Sequence, residues 1–157
     1  MAFIHLTTFI TAPVERVFDL SRSINLHKIS TAHTREQAIA GVTNGLINEN
    51  ETVTWQAKHL YKLRRFTSKI TLMQRPLLFI DEMIQGDFKS FRHEHHFKAT
   101  ENGTIMIDKI AFESPYAAVG KLFNNLFLKN YMKELLVKRN TVIKDYSETQ
   151  KWKVILN

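Results

Sequence analysis

The hydrophobic pattern of the chain changes from strand-like alternation to helix-like periodicity close to residue 114. From Pro115 to about Tyr146, apolar residues recur at every third or fourth position with lysines largely between them, which predicts one long amphipathic helix. Ser114 suits the N-cap of this helix, and Pro115 suits its first position. Because an isolated helix is stabilised mainly by burying its apolar face, the preceding residues must supply an apolar surface.

Strands dominate the residues before this helix. Alternating apolar and polar residues predict strands at residues 3–11, 35–40, 51–60, 65–73, 77–84, 88–100 and 104–113. Two short segments follow the first strand: a helix that begins near Pro13, and residues 23–32, which fit either a second short helix or a lid-like loop. Strands grouped between helices, rather than alternating with them, predict an α+β fold with one antiparallel sheet of about six or seven strands.

The C-terminal tail, residues 148–157, is polar but contains Trp152 and the apolar run from Val154 to Leu156. This pattern fits three alternatives: an added strand, docking on a neighbouring molecule, or a frayed end. A chain of 157 residues is long enough for one full hydrophobic core and too short for two. We therefore expect one domain over residues 1–147, followed by the tail.

The net charge of +7 favours contact with phosphates or an anionic membrane, but the basic residues are spread along the whole chain. The densest basic groups, residues 62–65 and Lys138-Arg139, are short, so we interpret them as solvated surface and predict no nucleic-acid partner. There is no cysteine, which excludes disulfides and thiolate chemistry. The chain has no stretch of roughly 20 apolar residues and no basic leader followed by an apolar run, so we expect no membrane span and a cytoplasmic location.

Asn102-Gly103 predicts a tight hairpin between the last two strands, since this dipeptide favours the left-handed dihedral angles that such turns require. A two-residue loop at this dipeptide places His95 opposite Ile110, whereas a four-residue loop places it opposite Asp108. Both registers have the same alternation, so one largely apolar set of side chains faces the long helix and a charged set faces outward. The inward set comprises Phe91, His93, His95, Phe97, Met106, Asp108, Ile110 and Phe112.

Two histidines and one carboxylate on this inward face are the candidate chemical groups. Burying each of them without a partner costs on the order of 1–3 kcal/mol, so His93, His95 and Asp108 must bond to one another, to a ligand or to water. Three interpretations remain open: a structural cluster, the polar end of an apolar ligand site, or acid–base catalysis by histidine. The same residues have the ligand types of a two-histidine, one-carboxylate metal site, but a His-x-His pair has low specificity, and we predict neither a metal nor a cofactor.

Several motifs occur in order along residues 3–146. They are residues 9–18, the Val53-Thr54-Trp55 strand, residues 79–83 followed by Gly86-Asp87-Phe88, residues 91–97, and the stretch from Gly103-Thr104 through Asp108 to Ser114-Pro115. Together they resemble the helix-grip fold of the START-like, or SRPBCC, superfamily, which includes the birch pollen allergen, lipid-transfer domains and polyketide cyclases. The chain looks like the small stand-alone bacterial proteins of that group.

This resemblance implies a curved sheet wrapped around the long C-terminal helix, with a cavity for an apolar ligand between them. We therefore predict binding of a small hydrophobic molecule for transport, storage or sensing. The alternative is a cyclase or dehydratase that uses His93 or His95 with Asp108; the sequence assigns no catalytic residue and leaves the oligomeric state open. The predicted ligand contacts are Trp55, His59, Phe91, His93, His95, Phe97, Asp108, Ile110, Phe112, Leu122, Phe123 and Leu126.

Overall fold

The computed structural model of the chain describes residues 1–114 and 121–157, with the side chains of all of these except residues 121–125. The elements follow the predicted order, and residues 23–32 form a helix rather than a loop. The strands are β1 (Ala2–Ile10), β2 (Gln37–Gly41), β3 (Thr52–His59), β4 (Lys62–Gln74), β5 (Leu78–Gln85), β6 (Ser90–Thr100) and β7 (Gly103–Glu113). The helices are α1 (Val14–Ser21), α2 (Ile24–Ser30), α3 (Lys121–Glu148) and α4 (Trp152–Leu156), with a short 3-10 turn at Ala32–Thr34.

All seven strands form one curved antiparallel sheet in the order β1-β7-β6-β5-β4-β3-β2. The fold is therefore α+β, as predicted. The main hydrophobic core lies between the sheet and helices α1, α2 and α3, and its centre is Phe18 of α1. The ring of Phe18 packs edge-on against Phe79 of β5 and Phe97 of β6, with centroid distances of 5.5 and 5.2 Å.

The β6–β7 hairpin has the register that places His95 opposite Asp108. The loop, however, is neither of the two that the sequence suggested: it consists of Glu101 and Asn102, and Gly103 is already the first residue of β7, paired with Thr100. The predicted alternation is confirmed, since all eight members of the inward set are buried. The hairpin therefore presents one buried face with two histidines and one carboxylate.

Helix α3 crosses the inner face of the sheet. Its predicted start at Ser114-Pro115 lies outside the described part of the helix, and its end, at Glu148, comes two residues after the predicted Tyr146. The apolar stripe is only partly buried: Leu136 and Ile143 are buried, whereas Leu126 is 59% exposed. Among the described side chains of the helix, the fully buried ones thus lie in its C-terminal half.

The C-terminal tail forms helix α4, rather than an added strand or a frayed end. Trp152, Ile155 and Leu156 are half-buried against the main core of their own chain. The guanidinium of Arg16 lies 4.4 Å from the centre of a Trp152 ring, a cation–π contact that joins α4 to α1. Within the described residues, no helix combines the length and the apolar character that crossing a bilayer requires.

Replacing Gly103 by alanine is expected to destabilise the fold. A Cβ at this position would collide with the backbone carbonyl of Ile10, the strand neighbour of Thr104. Because backbone atoms cannot rotate away as a side chain can, we expect Gly103→Ala to lower the free energy of unfolding by about 1–3 kcal/mol. Urea unfolding measures this change.

The matched control is Glu101→Ala in the exposed loop of the same hairpin, which should change stability by less than about 0.5 kcal/mol. Equal stabilities for Gly103→Ala and Glu101→Ala would show that β7 and β1 do not approach each other so closely.

Candidate functional site

The inward face of the β6–β7 hairpin carries a compact polar cluster. His93 Nε2 lies 2.8 Å from Asp108 Oδ1 and donates a hydrogen bond to it, and His95 Nδ1 lies 3.2 Å from the same oxygen. The imidazole rings are adjacent, with centroids 3.6 Å apart, because the two residues are neighbours on one side of β6. Asp108 is fully buried, so this hairpin alone brings three ionisable groups together in the interior.

Helix α3 supplies the remaining partners of Asp108. Asn140 Nδ2 donates to Asp108 Oδ2 at 2.7 Å and lies 3.2 Å from Thr8 Oγ1 on β1. Arg139 Nη1 lies 3.5 Å from Asp108 Oδ1, and its Nη2 donates to the Ser21 carbonyl at 3.1 Å. The carboxylate is thus surrounded by donors from a strand and a helix, as a buried charge requires.

Asp81 of β5 adds a second carboxylate on the other side of the histidines. It stands opposite His93 in the β5–β6 register, and its Oδ2 accepts a hydrogen bond from His95 Nε2 at 2.7 Å. The ring of Phe79 stacks on His95 with a centroid distance of 4.1 Å and fixes its plane. Asp81, His93 and His95 each offer one atom that could ligate a metal ion, and these atoms lie within 4.8 Å of one another.

Burial and neighbouring charges set the protonation states of this cluster. Burial raises the pKa of Asp108, but the hydrogen bond from His93, together with the charges of His93 and Arg139, outweighs it, so the pKa lies well below the usual value. The pKa of Asp81 is lowered in the same way, with burial opposed mainly by the hydrogen bond from His95. Burial, followed by the proximity of His95, lowers the pKa of His93 to about 4. His93 is therefore neutral between two ionised carboxylates at neutral pH.

A cavity of about 330 Å³ lies between the sheet and helix α3, next to this cluster. Asp81, His93, His95 and Arg139 line it, whereas most of the remaining wall is apolar. The apolar and aromatic lining residues among those described are Ile24, Ile47, Val53, Trp55, Ala57, Leu60, Phe66, Ile70, Phe79, Phe88, Phe91, Ile110, Leu128, Tyr131, Met132, Leu135 and Leu136. One part of a mostly oily wall thus carries a compact cluster of ionisable groups.

A second, smaller polar group lies on the wall formed by α2, β3 and α3. His27 Nε2 contacts Glu36 Oε1 at 3.0 Å, and the His27 ring packs on Trp55 at 4.2 Å. His59 Nδ1 lies 2.8 Å from the Tyr131 hydroxyl, which joins the end of β3 to α3. Burial lowers the pKa of His59, although the nearby charge of Glu36 opposes this shift. Both pairs therefore form bridges between elements that surround the cavity.

The structure places half of the predicted ligand contacts on the cavity wall and the other described ones elsewhere. Trp55, His59, Phe91, His93, His95 and Ile110 line the cavity. Four other predicted contacts are not part of the described wall. Phe97 packs on Phe18, and Phe112 packs on Phe88. Asp108 is covered by the histidines, and Leu126 is on the exposed side of α3. The side chains of Leu122 and Phe123 lie outside the described residues.

The helical part of the wall differs from the prediction in position. Leu128, Tyr131, Met132, Leu135, Leu136 and Arg139 line the cavity. Their spacing of three and four residues defines one face, and Leu126, two residues before Leu128, points about 200° away from it. Arg139 is also a correction, because it was interpreted as solvated surface and is only 8% exposed. Its distance of three residues from Leu136 and four from Ile143 was the signal that could have placed it inside.

Asp81 is another residue of the candidate site that the sequence analysis did not single out. Its strand has apolar residues on both faces, since Phe79 and Ile80 are both buried, so alternation alone did not show which face was inward. Residues 86–89 separate β5 from β6, so their register could not be counted from a two-residue turn at Gly86-Asp87. The pairing of Asp81 with His93 therefore depends on tertiary structure.

The His93 imidazole is expected to make stability depend on pH. The unfolded chain binds a proton at His93 near pH 6.5, whereas the folded chain does so only near pH 4, so the free energy of unfolding falls as pH is lowered between these values. His93→Gln retains a donor for Asp108 but does not titrate. We expect the loss of stability between pH 7 and pH 4 to be smaller in this variant by about 3 kcal/mol.

Urea unfolding at both pH values, in buffers that contain EDTA, measures this difference. His5→Gln on the exposed side of β1 is the matched control and should leave the pH dependence of the wild type unchanged. Equal pH dependence in the wild type and His93→Gln would mean that folding does not lower the pKa of His93.

No family model and no curated protein matches the sequence, but many solved structures match the fold. TTHA0849 from Thermus thermophilus has a TM-score of 0.72 and 18% identity, with 93% of this chain and 99% of that chain covered. A START superfamily protein from Mycobacterium smegmatis has a TM-score of 0.70 and 11% identity, with 93% and 97% covered. Major latex-like protein 151 from Panax ginseng has a TM-score of 0.69 and 12% identity, with 94% and 98% covered. The chain therefore has the fold of START-like proteins, as its sequence motifs predicted.

Proposed function

We propose that the protein binds a small, mostly apolar molecule in the cavity between the sheet and helix α3, for transport, storage or sensing. The observation that carries this proposal is the distribution of polarity around the cavity. Its wall is largely apolar and aromatic, and Asp81, His93, His95 and Arg139 form one compact polar group on it. This combination of an oily wall with a few convergent polar groups is typical of small-molecule sites.

The apolar part of the wall favours a hydrophobic ligand. Trp55, Phe66, Phe79 and Phe91 contribute aromatic surface from four different strands. Each square ångström of apolar surface that a ligand buries there contributes about 25 cal/mol, so an unfunctionalised ring system already gains affinity. The cavity volume of about 330 Å³ is at the lower end of the range for ligand pockets, which favours a compact ligand over a long acyl chain.

The polar part of the wall favours a ligand with one polar end. Asp81 is ionised and its side chain is 18% exposed toward the cavity, unlike Asp108, which is fully buried. Its Oδ1 has no hydrogen-bond partner among the side chains that the structure describes. A hydroxyl or amine of the ligand would supply that missing donor, and an apolar ring would occupy the aromatic part.

Filling the cavity should abolish binding without unfolding the protein. Ala57 of β3 is buried and lines the cavity, so a phenylalanine at this position would occupy the space of the ligand. We expect Ala57→Phe to bind the uncharged fluorescent probe N-phenyl-1-naphthylamine at least about tenfold more weakly than the wild type, a loss of about 1.4 kcal/mol. A fluorescence titration with this probe measures the change.

Lys58→Phe is the matched control, because Lys58 is the next residue on the same strand and is exposed. It should bind the probe as the wild type does, and both variants should retain the near-ultraviolet circular dichroism of a folded protein. Unchanged binding in Ala57→Phe would place the probe outside the cavity and contradict the proposal.

A second candidate is a cyclase or dehydratase that works by acid–base catalysis. The observation that favours it is that both histidines open onto the cavity and that His95 is held between Asp81 and Arg139. A carboxylate that orients an imidazole beside a substrate cavity is a common arrangement for proton transfer. His95 would move the proton, and Asp81 would position its ring. The sequence paired the histidines with Asp108 for this role, but Asp108 is behind them and does not reach the described wall of the cavity.

Mass spectrometry of bound ligand separates the two candidates. Native mass spectrometry of freshly purified wild type and His95→Gln compares the molecules that each retains. If the protein is a dehydratase, the ligand of His95→Gln should be heavier by one water molecule than that of the wild type, since the variant cannot eliminate water from its substrate. A binding protein predicts the same ligand mass in both, and that result would exclude dehydration at this site.

A further inference from the structure

Three potential metal ligands converge at the edge of the cavity. His93 Nδ1 and His95 Nε2 lie 3.9 and 2.7 Å from Asp81 Oδ2, and all three residues line the cavity. Ligand atoms about 2.0–2.2 Å from one metal ion are separated from each other by about 3.0–3.5 Å. These two separations lie on both sides of this range, and all three atoms lie within 4.8 Å of one another, so rotations of the side chains would bring them to coordination distance.

The second ring nitrogen of both histidines faces Asp108 instead of Asp81. His93 Nε2 is 2.8 Å and His95 Nδ1 is 3.2 Å from Asp108 Oδ1. Histidines that bind metals generally donate their second N–H to a carboxylate or carbonyl, which fixes the ring and raises the basicity of the ligating nitrogen. Asp108 is placed to serve both rings at once. Asn140 fixes its other oxygen, so the support for the site is itself held by helix α3.

The charge of the cluster also favours a cation. It contains two carboxylates, Asp81 and Asp108, against the single guanidinium of Arg139. In the absence of a metal, His95 Nε2–H donates to Asp81 and Nδ1 accepts from Arg139 Nη2 at 3.4 Å. A metal ion would displace the Nε2 proton, and the ring would then present Nδ1–H to Asp108. The contact between His95 Nδ1 and Arg139 Nη2 would then be lost. At 3.4 Å it is the longer of the two contacts of Nη2, since the hydrogen bond from Nη2 to the Ser21 carbonyl is 3.1 Å.

We propose that Asp81, His93 and His95 form a binding site for a divalent first-row transition-metal ion, with Asp108 as the support that orients both imidazoles. Two nitrogens and one carboxylate oxygen suit Zn²⁺, Fe²⁺ or Co²⁺ better than Mg²⁺ or Ca²⁺, which prefer oxygen ligands. The remaining coordination positions face the cavity and are open to water or to an oxygen of a ligand. The sequence did not reveal this set because its carboxylate comes from β5, and not from the hairpin that carries the histidines. The site does not depend on the proposed function.

Zinc and cobalt are the probes for this site. Wild-type protein stripped with EDTA and loaded with Zn²⁺ should retain one Zn²⁺ per chain after gel filtration, measured by elemental mass spectrometry. Co²⁺ should produce visible absorption bands with the intensity of a site of low coordination number. Asp81→Asn and His95→Gln should bind Zn²⁺ at least about tenfold more weakly, and Asp108→Asn should weaken binding by about 10–100-fold although it removes no ligand.

His96→Gln is the matched control. His96 is on the same strand, points outward and also contacts a carboxylate, since its Nε2 lies 2.8 Å from Glu94 Oε2. It should bind Zn²⁺ as the wild type does. A wild type that retains no Zn²⁺, or a His96→Gln variant that loses it while His95→Gln keeps it, would overturn the proposal.

Imidazole nuclear magnetic resonance tests the site without any variant, which matters because Asp81 and Asp108 also stabilise the fold. Long-range ¹H–¹⁵N spectra of ¹⁵N-histidine wild type report which ring nitrogen carries the proton. On addition of Zn²⁺, His93 should be fixed with its proton on Nε2 and His95 with its proton on Nδ1. Unchanged His93 and His95 signals in the presence of Zn²⁺ would show that the ion does not bind there.

Discussion

The buried carboxylate of Asp108 is the interaction on which the site depends. It accepts from His93 Nε2 and Asn140 Nδ2 through its two oxygens, at 2.8 and 2.7 Å. Asn140 also contacts Thr8, so one fully buried charge connects β6, β7, α3 and β1. A charge in a low-dielectric interior persists only where donors surround it, and these donors come from distant parts of the chain. The cluster therefore exists only when the sheet is paired in register and helix α3 has docked in one rotational position.

Register and helix rotation are linked through this charge. A slip of β7 by one residue would turn Asp108 outward and Lys109 inward, opposite the histidines. The close approach of Gly103 to the Ile10 carbonyl prevents such a slip at the other side of β7, because it fits only one alignment of β7 and β1. The apolar core gives the fold most of its stability, since Phe18, Phe79 and Phe97 pack in its centre, but it specifies the alignment less strictly than the polar contacts do.

Much of this arrangement could be predicted from alternation and turn chemistry. Period-two alternation in β6 and β7 placed His93, His95 and Asp108 on the buried face, and the grouping of strands between helices gave the fold class. What the sequence did not reveal was how two particular side chains meet residues of other elements. Asp81 is on a strand that is apolar on both faces, and Arg139 follows a lysine in a helix where charge suggested solvent. A formal charge says little about burial when a partner charge comes from another element.

The two carboxylates of the cluster also distinguish a structural role from a functional one. Asp108 is covered on all sides and supplied with donors, which is sufficient for a purely structural charge. Asp81 differs, because its side chain remains 18% exposed beside a cavity. It also contacts histidines that Asp108 already orients. Replacing buried ionic groups by apolar residues of similar volume is often neutral or stabilising, so stability alone gives no reason for a second carboxylate here. A partly exposed charge at the edge of an oily cavity is better explained by a molecule or ion that binds there.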